Sequence, residues 1–111
     1  MASQHDSGSQ AATLVTEHTL NTTNPETTPG VFQFWVDVSA MARADRTVFR
    51  LYEKINDTGD TQRKLKEWPL LNEQPDGMWV SPMFMLLHGW KFTLEQTNGT
   101  GRTYQWSIRK G

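Results

Sequence analysis

A two-residue alternation of apolar and polar side chains limits the possible folds of this chain more than any other feature. In residues 31–39, "VFQFWVDVS", aromatic and β-branched side chains occupy every second position: Phe32, Phe34, Val36 and Val38. Period 2 with these residue types predicts a half-buried β-strand. Residues 46–55, "RTVFRLYEKI", repeat the pattern, with Phe49, Leu51 and Ile55 inward and Glu53 as the exception on the inner face.

The remainder of residues 31–111 has the same character. Pro69 places the strand candidate "TQRKLKEWPLL" at a sheet edge or a bulge, because proline cannot donate to a ladder. Pro82 splits the apolar run of residues 78–90 into two strand pieces. Residues 91–96 and 102–109 end the sequence as two more strands. We therefore expect an all-β fold, a small β-sandwich or jelly-roll-like barrel of about seven to eight strands.

Residues 1–30 differ from the body at 31–111 and predict an extended N-terminal arm and linker. They contain no Lys or Arg, three acids, and two prolines near the junction with the body. Residues 1–12 hold too few apolar groups to order themselves, whereas residues 13–20 form a possible edge strand. We expect the arm to pair with an exposed edge of a neighbouring molecule, anchored by Leu14, Val15 and Leu20.

The segment "NGTGR", residues 98–102, resembles both a phosphate-binding loop and a hairpin turn. A phosphate loop needs a helix after it, but the next residues, "RTYQWSIR", alternate at period 2. Asn98 and Gly99 supply the positive φ angles of a hairpin turn, and Gly101 suits a bulge. We expect a hairpin in which Gly99→Val is destabilising and Arg102→Ala changes folding stability little.

Catalytic and cofactor chemistry has little support in the sequence. The absence of cysteine excludes thiolate catalysis, disulfides and cysteine-ligated metals. The three histidines have no metal-ligand spacing, and most aspartates fall in turns. Residues 57–60, "DTGD", match the aspartic-protease turn only in isolation. We expect no enzyme activity, no cofactor and no metal.

Charge and hydropathy limit the partners in the same way. The net charge of −1 argues against nucleic acid as a partner. No apolar run reaches the roughly 20 residues that span a bilayer, and the N-terminus lacks the features of a signal peptide. We expect a protein that is made in a cytoplasm and has no membrane partner.

Five tryptophans in 111 residues are the strongest remaining functional signal. Trp35 falls on the strand face opposite Phe32 and Phe34, so it lies either under a second buried face or on an exposed patch. Tyr52 falls on the outward face of its strand in the same way. Exposed aromatic side chains mark surfaces that bind protein or sugar, so Trp35 and Tyr52 are interface candidates. A carbohydrate-binding module is therefore an alternative function.

Two segments, "GVFQFWVDVSAMARADRTVFRLYEKI" and "TLEQTNGTGRTYQWSIRK", resemble small structural proteins of tailed-phage virions. The resemblance covers about half the chain and implies a β-sandwich head decoration or cement protein, or a related neck or tail component. It also implies a location in the virion after synthesis in the host cytoplasm. The implied partners are the major capsid protein or another virion protein, with the chain forming a homo-oligomer or bound to a lattice.

Overall fold

The structure is a computed structural model that describes residues 2–24, 26–56 and 59–111. Within these ranges the chain forms nine β-strands: β1 (Ser3–Ala11), β2 (Glu17–Thr19), β3 (Gly30–Asp37), β4 (Arg46–Glu53), β5 (Arg63–Leu71), β6 (Met78–Val80), β7 (Phe84–Leu86), β8 (Lys91–Asn98) and β9 (Thr103–Lys110). The described residues include no helix long and apolar enough to cross a bilayer. The expected all-β class is confirmed.

The strands form two antiparallel sheets that enclose one core. Sheet A has the order β1-β9-β3-β6, and β7 also pairs with β3. Sheet B has the order β2-β8-β4-β5. If β6 and β7 are taken as one strand interrupted near Pro82, eight strands remain and each sheet has four. The chain then crosses between the sheets in the manner of a jelly roll.

The connection between β8 and β9 corrects one expectation from the sequence. β8 pairs with β2 and β4, whereas β9 pairs with β1 and β3, so the two strands belong to different sheets. Residues 99–102 therefore cross the end of the sandwich and do not form a hairpin. The predicted positive φ is present at Gly99, at +92°, but not at Asn98, and Gly101, the expected bulge glycine, has no positive φ either. Turn chemistry alone does not distinguish a hairpin from a crossing, because both require tight backbone bends.

The alternating residues fill the core as expected. Phe32, Phe34, Val36 and Val38 are buried on β3 and just after it. The inward side chains of the last two strands are buried as well: Phe92, Leu94, Tyr104, Trp106 and Ile108. Phe34 and Phe92 stack across the two sheets with ring centroids 4.4 Å apart. The core is therefore an aromatic layer between facing sheets, held by the non-directional gain of burying large apolar surfaces.

The N-terminal segment differs from the expected free arm. Residues 1–12 were expected to lack regular structure, but β1 pairs with β9 from Ser3 to Ala11, with a bulge at His5. Only Glu17–Thr19 of the predicted strand 13–20 is a strand, and it lies on the edge of sheet B beside β8. The N-terminal segment therefore contributes one edge strand to each sheet of its own chain: β1 to sheet A and β2 to sheet B. Whether residues 1–30 are separable from residues 31–111 stays a prediction.

Candidate interaction surfaces

The β8–β9 connection uses its donors inside the fold. The Thr100 amide donates to Asp45 Oδ1 at 3.2 Å, and the Arg102 amide donates to Gln96 Oε1 at 3.1 Å. Arg102 Nε donates to Asp45 Oδ2 at 2.9 Å. An anion cradle needs amides that point at a ligand. The sequence "NGTGR" is therefore better explained as structure than as a phosphate site.

Asp45 is the buried acceptor at the centre of this end of the sandwich. The residue is 1% exposed and also accepts from the Ala42 amide at 2.9 Å. Burial by itself raises the pKa of Asp45, but the hydrogen bonds from Ala42, Arg102 and Thr100 outweigh it and hold the pKa below its ordinary value. Asp45 thereby fastens the β3–β4 connection to the β8–β9 connection.

The three predicted arm anchors lie in different environments. Leu14 and Val15 are 41% and 71% exposed in the turn between β1 and β2. Leu20 is 4% exposed and belongs to the core. The prediction of Leu20 as an interface residue therefore does not fit this structure, because the side chain is not on the surface. Leu14 and Val15 remain exposed interface candidates.

Trp35 lies on the outer face of sheet A and is half-buried. The guanidinium of Arg109 lies over its ring, 3.7 Å from the centroid, as a cation–π pair. Its indole Nε1 donates to Gln33 Oε1 at 3.2 Å. A shallow groove of about 630 Å³ runs beside it, lined also by Gln4, Asp37, Ser39, Gln105 and Ser107. The ring therefore forms part of a mixed polar surface and is covered on one side.

The other four tryptophans are directed toward the core. Trp90 and Trp106 are buried, and Trp68 and Trp79 pack against the core as partly buried side chains. The structure thus disperses the tryptophans and does not align them as a flat exposed row. A row of two or three exposed rings is what a sugar-binding face would use to stack on pyranoses.

Tyr52 belongs to a charged network on the outer face of sheet B. Its hydroxyl donates to Glu17 Oε2 at 2.6 Å, and Arg50 contacts Glu67 and Glu95 at 2.6 Å each. Burial and the hydrogen bond to Glu17 raise the pKa of Tyr52 to about 12. The network links β2, β4, β5 and β8. Tyr52, an interface candidate from its outward position, thus has partners within its own sheet.

A second groove, which we call the β5–β7 groove, exposes large apolar side chains together. It has a volume of about 510 Å³ and is lined by Ile55, Leu65, Met85 and Leu87, which are 63%, 45%, 82% and 56% exposed. The alternation had placed Ile55 inward, but the strand ends at Glu53, before that position. The sequence contains one sign of this groove. Residues 83–87, "MFMLL", are apolar at every position, whereas a strand with one solvated face alternates apolar and polar side chains.

Basic side chains border the β5–β7 groove. Lys54, Arg63 and Lys64 line it beside Glu53 and His88. Glu53 is engaged within the chain, since it accepts from the Leu87 and His88 amides at 2.7 Å and 3.1 Å. Glu53, the exception to the apolar inner face of β4, thus accepts hydrogen bonds from two backbone amides after β7. The groove therefore joins an apolar floor to a mainly basic rim.

The histidine and carboxylate side chains of the described residues do not form a metal-binding cluster. No group of three or more His, Asp or Glu side chains is placed to hold a metal in this part of the chain. His5 Nε2 contacts Glu26 Oε2 at 3.2 Å, and His18 accepts from the Thr13 amide at 3.1 Å. Asp57 and Thr58 of the "DTGD" turn lie outside the described residues.

No protein-family model, curated protein or solved structure matches this chain.

Proposed function

We propose that this chain is a non-enzymatic structural protein of a tailed-phage virion, of the capsid decoration or cement class. A tail or neck position is the alternative within that class. The β5–β7 groove is the single observation that carries the proposal of a docking role. Four large apolar side chains, each at least 45% exposed, converge there. Contiguous exposed apolar surface on a small protein marks a site that a partner covers.

Two further features support the virion assignment. Jelly-roll sandwiches occur in viral coat proteins, although the same fold also serves lectins and cupins, so the fold alone does not decide between them. The dispersed tryptophans fit a protein-binding role better than a sugar-binding platform. The coat lattice is the proposed partner, and the chain reaches it after synthesis in the host cytoplasm.

Mass spectrometry of particles purified from a host that produces this chain tests the proposal. We expect the chain in a fixed ratio to the major capsid protein. If purified particles lack the chain, the virion assignment is wrong.

Substitution in the groove tests where docking occurs. We expect Met85→Lys to reduce occupancy on the particle about tenfold, since placing a charge in a desolvated contact costs more than 1 kcal/mol. Met83→Lys is the matched control, because Met83 is 68% exposed and does not line the groove. Equal losses for both variants would remove the groove as the docking site.

The groove beside Trp35 favours the carbohydrate alternative. Glutamine, serine and aspartate side chains line it together with an aromatic ring, a combination suited to sugar hydroxyls. Titration with a panel of oligosaccharides, followed by tryptophan fluorescence, tests this function with Trp35→Ala as the control. Saturable quenching that Trp35→Ala abolishes would establish sugar binding.

A further inference from the structure

β1 is attached to the sandwich in a way that a second copy of the chain can reproduce. It lies at the edge of sheet A, and among the described strands it pairs with β9 alone. None of its side chains is fully buried. Its specific contacts beyond the ladder include His5 against the Phe32 ring, with centroids 5.2 Å apart, and Gly8 beneath Trp106. The pairing of β1 with β9 is therefore specific, because it places His5 against Phe32 and Gly8 beneath Trp106.

The turn between β1 and β2 holds an unfavourable backbone conformation. Val15 has a φ of +60°, in the left-handed region that β-branched side chains avoid. The closed turn carries β1 to sheet A and β2 to sheet B within residues 12–16. Two backbone hydrogen bonds hold the turn. The Ala12 amide donates to the Arg102 carbonyl and the Val15 amide donates to the Gln96 carbonyl, both at 2.8 Å. An extended chain at Val15 would relieve the strain but would move β1 away from its own β9.

We propose that β1 exchanges between copies of this chain, so that β1 of one molecule pairs with β9 of another. The ladder and the His5 contacts are identical in the closed and exchanged forms, because the sequences are identical. The difference lies in the turn, which is strained when closed and extended when exchanged. Strained hinge turns favour this kind of exchange. The inference concerns contacts between copies and does not depend on docking through the β5–β7 groove.

Cysteine pairs give a direct test, because the chain has no cysteine of its own. Ser7 and Ser107 are register partners of β1 and β9. A tagged Ser7→Cys chain is refolded with an untagged Ser107→Cys chain at high concentration, oxidised, and run on non-reducing gels. We expect a mixed disulfide dimer whose amount grows with protein concentration.

The control uses a tagged Ser9→Cys chain with the same Ser107→Cys chain. Ser9 faces Gln105, so this pair is two positions out of register. We expect at least about tenfold less mixed dimer from it, because a disulfide needs Cα atoms within about 7 Å. If the two mixtures give equal dimer, or if neither gives any while the double variant Ser7→Cys/Ser107→Cys closes within one chain, the exchange does not occur.

Substitution of Val15 tests the cause of the exchange, with light scattering as the measurement and circular dichroism as the check on folding. Val15→Gly removes the strain of the closed turn, and we expect its association constant to be about tenfold lower than that of the unmodified chain. Val15→Ile keeps a β-branched side chain, and we expect association to be unchanged. A monomeric unmodified chain at all concentrations, or equal association of all three proteins, would overturn the proposal.

Discussion

At the scale of single residues, Gly99 controls how closely the β8–β9 connection approaches the β3–β4 connection. Its φ is +92°, and an added Cβ would overlap Asp45 Oδ1 and lie 2.9 Å from Asp45 Cα. We expect Gly99→Ala to lower the free energy of unfolding by about 2–4 kcal/mol, since both backbone strain and overlap oppose it. Urea denaturation measures the change.

Gly59 provides the control for this prediction. Its φ is also positive, at +71°, but an added Cβ would meet no atom within 4 Å. Gly59→Ala should therefore cost only the conformational strain of the left-handed region, about 1–2 kcal/mol. If the two substitutions cost the same, the close approach at Asp45 does not limit Gly99.

Arg102 has a structural partner that could not be predicted from the sequence. The sequence offered no reason for Arg102→Ala to matter, because an arginine after a turn is usually solvated. The structure pairs it with the buried Asp45, and a buried carboxylate that loses a partner is costly. We now expect Arg102→Ala to destabilise the fold by about 1–3 kcal/mol in chemical denaturation. Arg43→Ala, at an exposed position in the β3–β4 connection, should have almost no effect, and equal effects would contradict this role of Arg102.

At the scale of strands, the N-terminal segment divides into two parts with different importance. β1 supplies a ladder but no buried side chain, whereas Leu20 lies in the core and Asn21 Oδ1 accepts from the buried Phe92 amide at 2.7 Å. We expect deletion of residues 1–12 to leave a cooperative thermal transition at a lower temperature. Deletion of residues 1–29 should abolish that transition. If the shorter body of residues 30–111 melts like the full chain, the segment is a separable arm after all.

The elements that were predictable from sequence are those with one buried face. β3, β4, β8 and β9 show period 2 because each packs one row of side chains into the core. β1 was not recognised, because an edge strand with largely solvated side chains is held by backbone hydrogen bonds and leaves no apolar pattern. Pro69 was informative, since β5 is an edge strand whose one partner within the described ranges is β4.

At the scale of the whole molecule, several carboxylates should make the fold sensitive to acid. For Glu17 and Glu26, burial raises the pKa, but hydrogen bonds from Thr93 and Thr28 among others outweigh it, and both values fall below the ordinary 4.5. The pKa of Asp45 is likewise lowered from 3.8. The unfolded chain then binds more protons than the folded chain in acid, so the stabilisation is complete above the ordinary values and is lost as pH falls through the folded values.

Thermal unfolding across a pH series measures this effect. We expect a nearly constant melting temperature from about pH 7 to pH 5.5 and a progressive fall below about pH 4.5. The variant Glu17→Gln should have a shallower fall, because one of the responsible groups is removed. A melting temperature that rises or stays constant between pH 5 and pH 3 would contradict the assignment.

The two-sheet architecture followed from the sequence, but the partner of each strand did not. The alternation of apolar and polar residues predicts which side chains face inward, but it does not predict which strands pair with each other. The β5–β7 groove was also missed, since Ile55, Leu65 and Leu87 come from separate segments that only the crossings bring together. A surface assembled from distant segments leaves no continuous pattern in the sequence.

The pairing of Ser3 with Lys110 joins the two ends of the sequence in one ladder, and this has a consequence for how the protein reaches its native state. During synthesis, β1 leaves the ribosome long before β9, so it spends that interval without its partner. Sandwiches dominated by such distant pairings fold slowly, in milliseconds to seconds, because long loops must close before contacts form. The β1–β9 ladder therefore cannot form until β9 has been synthesised, and until then β1 is free to pair with the β9 edge of a neighbouring molecule.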